Sequence, residues 1–314
     1  MLSGSFNRKR GITIMSLFRM SFVVSLFIFH ALPVIGHAQL DSLKSKIEHI
    51  VGGAKGKIGV AVQGLENADT ITINGSGKFP MQSVYKFPLA VAVLHLVDQG
   101  KLSLDQKIFL SKEDLRPVTW SPIKVKYPNG NVDVTLDELL MHTVSESDNI
   151  CCDILFRLAG GPNAVNRYIH NLGIDDIAIT ATEEEMAKEK QVQYQNSSTP
   201  AAMAQLLSAL YHDKILSVKS KEYLLKLMEQ TVTGPGRLKA LLPKGTIVAH
   251  KTGSSGTDAV GMAPATNDVG IITLPGGRHY IVVVFVSDSF DDEKTRDNVI
   301  AQIAKLVWDE FADQ

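Results

Sequence analysis

Cysteine is nearly absent: in 314 residues there are only Cys151 and Cys152, side by side. Adjacent cysteines rarely pair, because the backbone between them must distort. The chain therefore has no ordinary disulfide, and without histidines at ligand spacing the two do not make a metal site. They read as small buried hydrophobes on a helix. Internal repeats and low-complexity linkers are also missing, which excludes arrays and solenoids. There is no basic excess, with 32 Lys plus Arg against 33 Asp plus Glu. The one long apolar stretch, residues 20–35, is short for a spanning helix and is broken by His30 and Pro33.

That stretch has another reading. Arg8, Lys9, Arg10 and Arg19 precede it, and the small-x-small triplet Gly36-His37-Ala38 follows it. This is the layout of a secretory signal peptide over residues 1–38, with Met15 or Met20 as alternative starts. No cysteine sits near the cut, which argues against a lipoprotein anchor. Removing the leader takes four basic and no acidic residues, leaving 28 Lys plus Arg against 33 Asp plus Glu, a net charge of −5. Nucleic acid and anionic membrane surfaces are thereby disfavoured as partners. A secreted, periplasmic monomer acting on small molecules is expected, with no membrane contact after cleavage and no cofactor or metal.

Hydrophobic periodicity orders the rest. Leu43, Ile47, Ile50 and Val51 form a helical stripe that stops at Gly52-Gly53. Ile58, Val60 and Val62 alternate, and Thr70 to Ile73 follow as the second arm of a hairpin. Residues 83–229 are mostly helical in pattern. Strands return at Ile247 to His250, Val269 to Leu274 and Tyr280 to Val286, the last two joined by Pro275-Gly276-Gly277. Val299, Ile303, Leu306, Val307 and Phe311 close the chain as an amphipathic helix. The order implies an α+β fold: five strands in one antiparallel sheet, terminal helices against it, and a helical insert. The expected partition is 39–80 with 230–314 as the sheet domain and 81–229 as an all-α domain, with a cleft between them.

Three short patterns could carry chemistry. Ser83-Val84-Tyr85-Lys86 puts an amine three residues after a hydroxyl, on one face of a helix. A neutral lysine there could take the serine proton, and a helix N-terminus favours the resulting anion. About one Ser-x-x-Lys arises by chance in a chain of this length, and a second one exists, Ser121-Pro122-Ile123-Lys124. Pro122 argues against a helix in register, so this second match reads as a decoy. Ser147-Asp148-Asn149 alone would be a helix cap, and Lys251-Thr252-Gly253 alone a strand end with a turn glycine. Glu183-Glu184-Glu185 alone would be a solvated charge run.

Taken together they mean more. Ser-x-x-Lys, Ser-Asp-Asn and Lys-Thr-Gly in this order are shared by class A β-lactamases and penicillin-binding proteins. Ser83, Ser147, Glu183 and Lys251 are separated by 64, 36 and 68 residues, close to the class A pattern. Over nearly all of the mature length the sequence resembles class A serine β-lactamases, most of all the PER and VEB extended-spectrum groups. Residues Phe79 to Lys86, Val144 to Asn149, Gln193 to Asn196 and Ala249 to Gly253 carry that likeness. The resemblance implies the β-lactamase/transpeptidase-like fold and hydrolysis of penicillins and cephalosporins through an acyl-enzyme, conferring antibiotic resistance.

It also implies roles. Ser83 is the nucleophile, Lys86 its proton partner, and Ser147 a relay to the departing lactam nitrogen. Glu183 activates the deacylating water. The Ser83 proton has two candidate acceptors during acylation, Lys86 and Glu183. Backbone N–H groups of Ser83 and Ser254 form an oxyanion hole. Asn149 binds the acylamido side chain, and Lys251, Thr252, Gly253 and Ser254 line the substrate carboxylate site. Trp120 matches an aromatic gate, with a plain core tryptophan as the bland alternative. Arg237 matches an arginine that helps bind the carboxylate, with a surface arginine as its alternative. His250 is expected to face the other side of its strand.

The sequence departs from the common pattern near Glu183. Ala187 stands where an asparagine usually helps hold the water, and Ala181 where an arginine usually pins the loop. A roomier pocket open to oxyimino-cephalosporins is the implied consequence. Gln82 replaces the cysteine of some carbapenem-hydrolysing relatives, which makes carbapenemase activity unexpected. A DD-peptidase shares the motifs but lacks the loop glutamate. A β-lactam sensor domain would need a spanning helix and an intracellular domain, neither of which is visible.

Overall fold

The computed structural model describes residues 37–67 and 69–313. Most of the signal-peptide reading, residues 1–36, lies outside the described residues. Helix α1, His37–Gly52, leads into the antiparallel pair β1 (Lys57–Gly64) and β2 (Thr70–Ile73). The helical block follows. It contains α2 (Lys86–Asp98), α3 (Leu136–Ser145), α4 (Asn149–Ala159), α5 (Pro162–Asn171), α6 (Glu183–Lys188), α7 (Pro200–Tyr211) and α8 (Val218–Glu229). The chain then returns as β3 (Val248–Ser254), β4 (Ala263–Thr273) and β5 (His279–Ser289), and ends with α9 (Glu293–Phe311).

The five strands form one antiparallel sheet in the order β2-β1-β5-β4-β3. Period-2 alternation divides its side chains between two cores. Ile58, Val60 and Val62 of β1 and Val282, Val284 and Val286 of β5 join Leu43 and Ile47 of α1 and Ile303 and Val307 of α9 on one face. Ala61, Ile281, Val283 and Phe285 face the other way, into the core shared with the helical block. The expected α+β architecture is the observed one. The block also carries short ladders that periodicity did not announce, 107–110 with 132–135 and the pairs formed by 79–80, 177–178 and 197–198.

Local rules set the helix starts that matter below. Thr135, Asp148, Thr182, Thr199 and Ser217 each accept the backbone N–H three residues on, so five helices of the block start at a polar cap. Gly160, at φ 88°, ends α4 in the left-handed region, where a Cβ would be penalised.

Candidate active site

The Ser83 segment is not the start of α2, as the periodicity suggested. It is one tight turn, Gln82–Tyr85, that runs into α2 at Lys86. The turn rests on the sheet. Asn267 Nδ2 of β4 donates to the carbonyls of Pro80 (2.8 Å) and Met81 (3.1 Å). Gly253 of β3 packs so closely below that an added Cβ would lie 2.3 Å from the Met81 carbonyl oxygen. The glycine of Lys-Thr-Gly is thus needed for the close approach between β3 and the serine turn.

The Lys86 side chain is fully buried at the centre of the site. Its ammonium donates to Ser83 Oγ (3.0 Å), to the Ser147 carbonyl (2.8 Å) and to Asn149 Oδ1 (2.5 Å), and it lies 3.0 Å from Glu183 Oε1. Lys251 is equally buried and donates to Ser147 Oγ at 2.9 Å. Burial, and next the Lys86 charge, holds the Lys251 ammonium well below the usual lysine range. Ser83, Lys86, Ser147, Asn149, Glu183 and Lys251 are therefore brought together by direct contacts.

The three glutamates have separate tasks, and they sit on a helix start rather than the expected loop. Glu183 is the first residue of α6 and its side chain is 10% exposed, facing Lys86. Glu184 pairs with Lys188 at 2.7 Å on the surface. Glu185 completes a capping box with Thr182.

Two residues that the sequence reading missed hold this helix. Asp153 of α4 accepts the N–H groups of Glu183 (2.8 Å) and Glu184 (3.0 Å). Burial pushes its carboxyl up to about 6, against the pull of those two bonds. Asn196 is fully buried, accepts from the Thr180 and Ala181 N–H groups and donates to the Ala181 carbonyl. This one amide does the pinning for which Ala181 has no side chain. Asp153 gave no sequence signal beyond its i+4 spacing from Asn149, and Asn196 only its place in the Gln193–Asn196 stretch.

Arg237 is 3% exposed, so the surface alternative falls. Its guanidinium donates to Asp297 (2.7 Å), to the Asn267 carbonyl (3.0 Å) and to Ser254 Oγ (2.7 Å), directly beneath the end of β3. Thr252 bonds Thr233 at 2.5 Å, and Ser254 is exposed at the cleft. Trp120 is 62% exposed, so it is not a core tryptophan. Its indole donates to the Glu146 carbonyl, and its own carbonyl accepts from the Asn149 N–H. The second Ser-x-x-Lys is apart from this cluster: Ser121 Oγ lies 2.9 Å from both Asp148 oxygens, and Lys124 reaches the Pro117 carbonyl. His250 faces away and pairs with Asp268. Cys151 and Cys152 are buried, free thiols on α4.

A cavity of about 310 Å³ lies between Gln82, Asn149, Glu183, Ala187 and Ser254. A neighbouring groove of about 550 Å³ shares Thr119, Asn149, Glu183 and Ala187 with it and continues along α4.

The model of the β-lactamase enzyme family matches residues 42–311. The chain is 47% identical to the β-lactamase VEB-1 of Pseudomonas aeruginosa over 283 residues, covering 90% of this chain and 94% of that one. It is 46% identical to the extended-spectrum β-lactamase PER-1 of Pseudomonas aeruginosa over 271 residues, covering 86% and 88%. The crystal structure of the TLA-3 extended-spectrum β-lactamase matches with a TM-score of 0.85 at 51% identity, covering 87% of this chain and 99% of that one. Fold and matches together define a hydrolase of the class A serine type. The chain belongs to the β-lactamase enzyme family, and is a serine β-lactamase.

Proposed function

We propose that Ser83 opens the β-lactam ring of penicillins and cephalosporins and that Glu183 directs hydrolysis of the resulting ester. The observation that carries this is the chain Ser83 Oγ, Lys86 Nζ, Glu183 Oε1, each step 3.0 Å. A proton passed from Lys86 to Glu183 leaves a neutral amine in reach of the serine hydroxyl. Lys86 can then take the Ser83 proton as Oγ bonds the lactam carbonyl carbon. The N–H groups of Ser83 and Ser254 meet the oxyanion. When the C–N bond breaks, the nitrogen takes a proton from Ser147 Oγ. Lys251 replaces it, its held-down affinity for a proton suiting it to give one up. The proton on Glu183 then returns through solvent to Lys251, which had given one up. Glu183, again a carboxylate, accepts a proton from the water that attacks the ester carbon, and as the ester C–O bond breaks Lys86 protonates Ser83 Oγ and is itself reprotonated by Glu183.

Asn149 binds the acylamido group. Lys251, Thr252, Gly253 and Ser254 hold the substrate carboxylate, with Arg237 acting from below through Ser254. Trp120, exposed next to the cavity-lining Thr119, is the aromatic gate beside the pocket. Ala187 lines both cavities with a single methyl group, which supports acceptance of bulky oxyimino side chains. The two lobes are 39–80 with 230–314, and 81–229. The sequence supports export with removal of residues 1–38 and action in the periplasm as a monomer. Among the described residues no helix is long and apolar enough to cross a membrane. Nitrocefin turnover tests the reading. Many products per protein are expected, and a single stoichiometric release would overturn it.

A further inference from the structure

Ser147 has a backbone shape that its side chain disfavours: φ is +60°, in the left-handed region. Something has to impose it. Asp148, on one side, is fixed as the cap of α4 and by Ser121 and Ile123. On the other side is Glu146, which the mechanism does not use. Its carbonyl accepts from the Trp120 indole (2.9 Å) and its carboxylate accepts from His142 Nδ1 (2.6 Å). His142, one turn earlier on α3, is 5% exposed, and its carbonyl accepts the Asp148 N–H at 2.9 Å. One buried residue therefore ties both neighbours of Ser147, Glu146 through its ring and Asp148 through its backbone.

We infer that the His142–Glu146 pair is a positioning device for Ser147, setting the aim of its hydroxyl between Lys251 and the departing nitrogen. The inference rests on the relay role proposed for Ser147. The pair touches neither substrate nor any reacting atom. It stands in for rigidity that the backbone lacks at a strained residue, where a small misplacement costs rate.

The relay matters unequally to different substrates, which supplies the test. A penicillin nitrogen leaves as an amine and must be protonated as the C–N bond breaks. The ring nitrogen of nitrocefin delocalises its electron pair into the conjugated styryl system and depends less on the proton. In Glu146→Ala, kcat/KM for benzylpenicillin is expected to fall roughly tenfold or more, within the range of a displaced general acid, while nitrocefin changes by less than about threefold. Both are measured per mole of Ser83 that can be acylated, so loss of folded protein cancels. Glu146→Gln keeps an oxygen for the His142 N–H and is expected to restore penicillin turnover. His142→Ala is expected to repeat the selective loss. Equal losses for both substrates in Glu146→Ala, or an unchanged penicillin rate, overturn the inference. Ser147→Ala separates the two layers. If it shows no penicillin-selective loss, the relay reading itself fails; if it does and Glu146→Ala does not, only the positioning device fails.

Discussion

Replacing Glu183, Glu184 and Glu185 one at a time by glutamine tests the reaction scheme most directly, because the structure gives three adjacent identical residues three different environments. Glu183 Oε1 lies 3.0 Å from Lys86 and is nearly sealed from solvent. Its glutamine variant keeps the volume but cannot take a proton. A positioned base contributes on the order of 10²–10⁴-fold, or about 3–5 kcal/mol of barrier, so the hydrolytic step is expected to slow by that factor. Acylation also slows, because Lys86 loses the acceptor for its proton, but deacylation has no second base, so the acyl-enzyme is expected to form and persist, giving a burst of one product per enzyme followed by a slow phase. Glu184 forms only a surface pair with Lys188, and its variant is expected to turn over normally. Glu185 closes the capping box of α6, a place glutamine also fills, so its variant is expected to change stability and kcat little. Rapid-quench kinetics and mass spectrometry of the intact protein after a penicillin pulse read all three. Wild-type turnover by Glu183→Gln, or an adduct trapped by Glu184→Gln instead, would refute the assignment.

Further expectations follow from the same contacts. Ser83→Ala is expected to abolish covalent labelling, while Ser121→Ala keeps it and loses about 1–3 kcal/mol of stability because the buried Asp148 carboxylate loses a partner; mass spectrometry with urea melts distinguishes them, and a penicilloyl group on Ser121 would reverse the roles. Arg237→Ala is expected to raise KM for penicillins roughly tenfold or more with a smaller fall in kcat, since the charge-assisted bond by which it holds the carboxylate-binding Ser254 hydroxyl serves ground and transition states alike and so acts as uniform binding; an unchanged KM would confine Arg237 to the packing beneath β3. The Asp153 carboxyl, at about 6 in the folded protein against about 3.9 when unfolded, is protonated more readily in the folded state, so its stabilising contribution is full below pH 4 and lost as pH rises through 6. Urea melts across pH 4 to 7 are expected to show wild type losing on the order of 2 kcal/mol relative to Asp153→Asn over that window, and parallel curves would contradict the raised value. Ceftazidime and cefotaxime are expected to be hydrolysed at rates comparable with simple cephalosporins, which steady-state kinetics of a narrow penicillinase would disprove.

The sequence by itself determined the five strands of the main sheet and the residues proposed for the site. Alternation at Ile58, Val60 and Val62 and the apolar runs at 269–274 and 280–286 specify strands, because period 2 must match a sheet with two cores. Ser83, Lys86, Ser147, Glu183 and Lys251 were legible because their residue types recur at family spacing. Other features depend on contacts between residues far apart in the chain. Glu183 lies 97 residues from Lys86, and only the packing of α6 against α4, through Asp153, makes it the one glutamate of three that faces the lysine. Ser121 and Ser83 head identical motifs, and what separates them is tertiary: one meets Lys86, the other the buried Asp148 carboxylate. Arg237 was ambiguous until Asp297, 60 residues later on α9, drew it under Ser254. Gly253 read as a turn residue, yet its smallness answers to Met81 on another element. Spacing reports which residues are present; burial, approach distance and partner identity are properties of the folded packing, and these assign each residue its part.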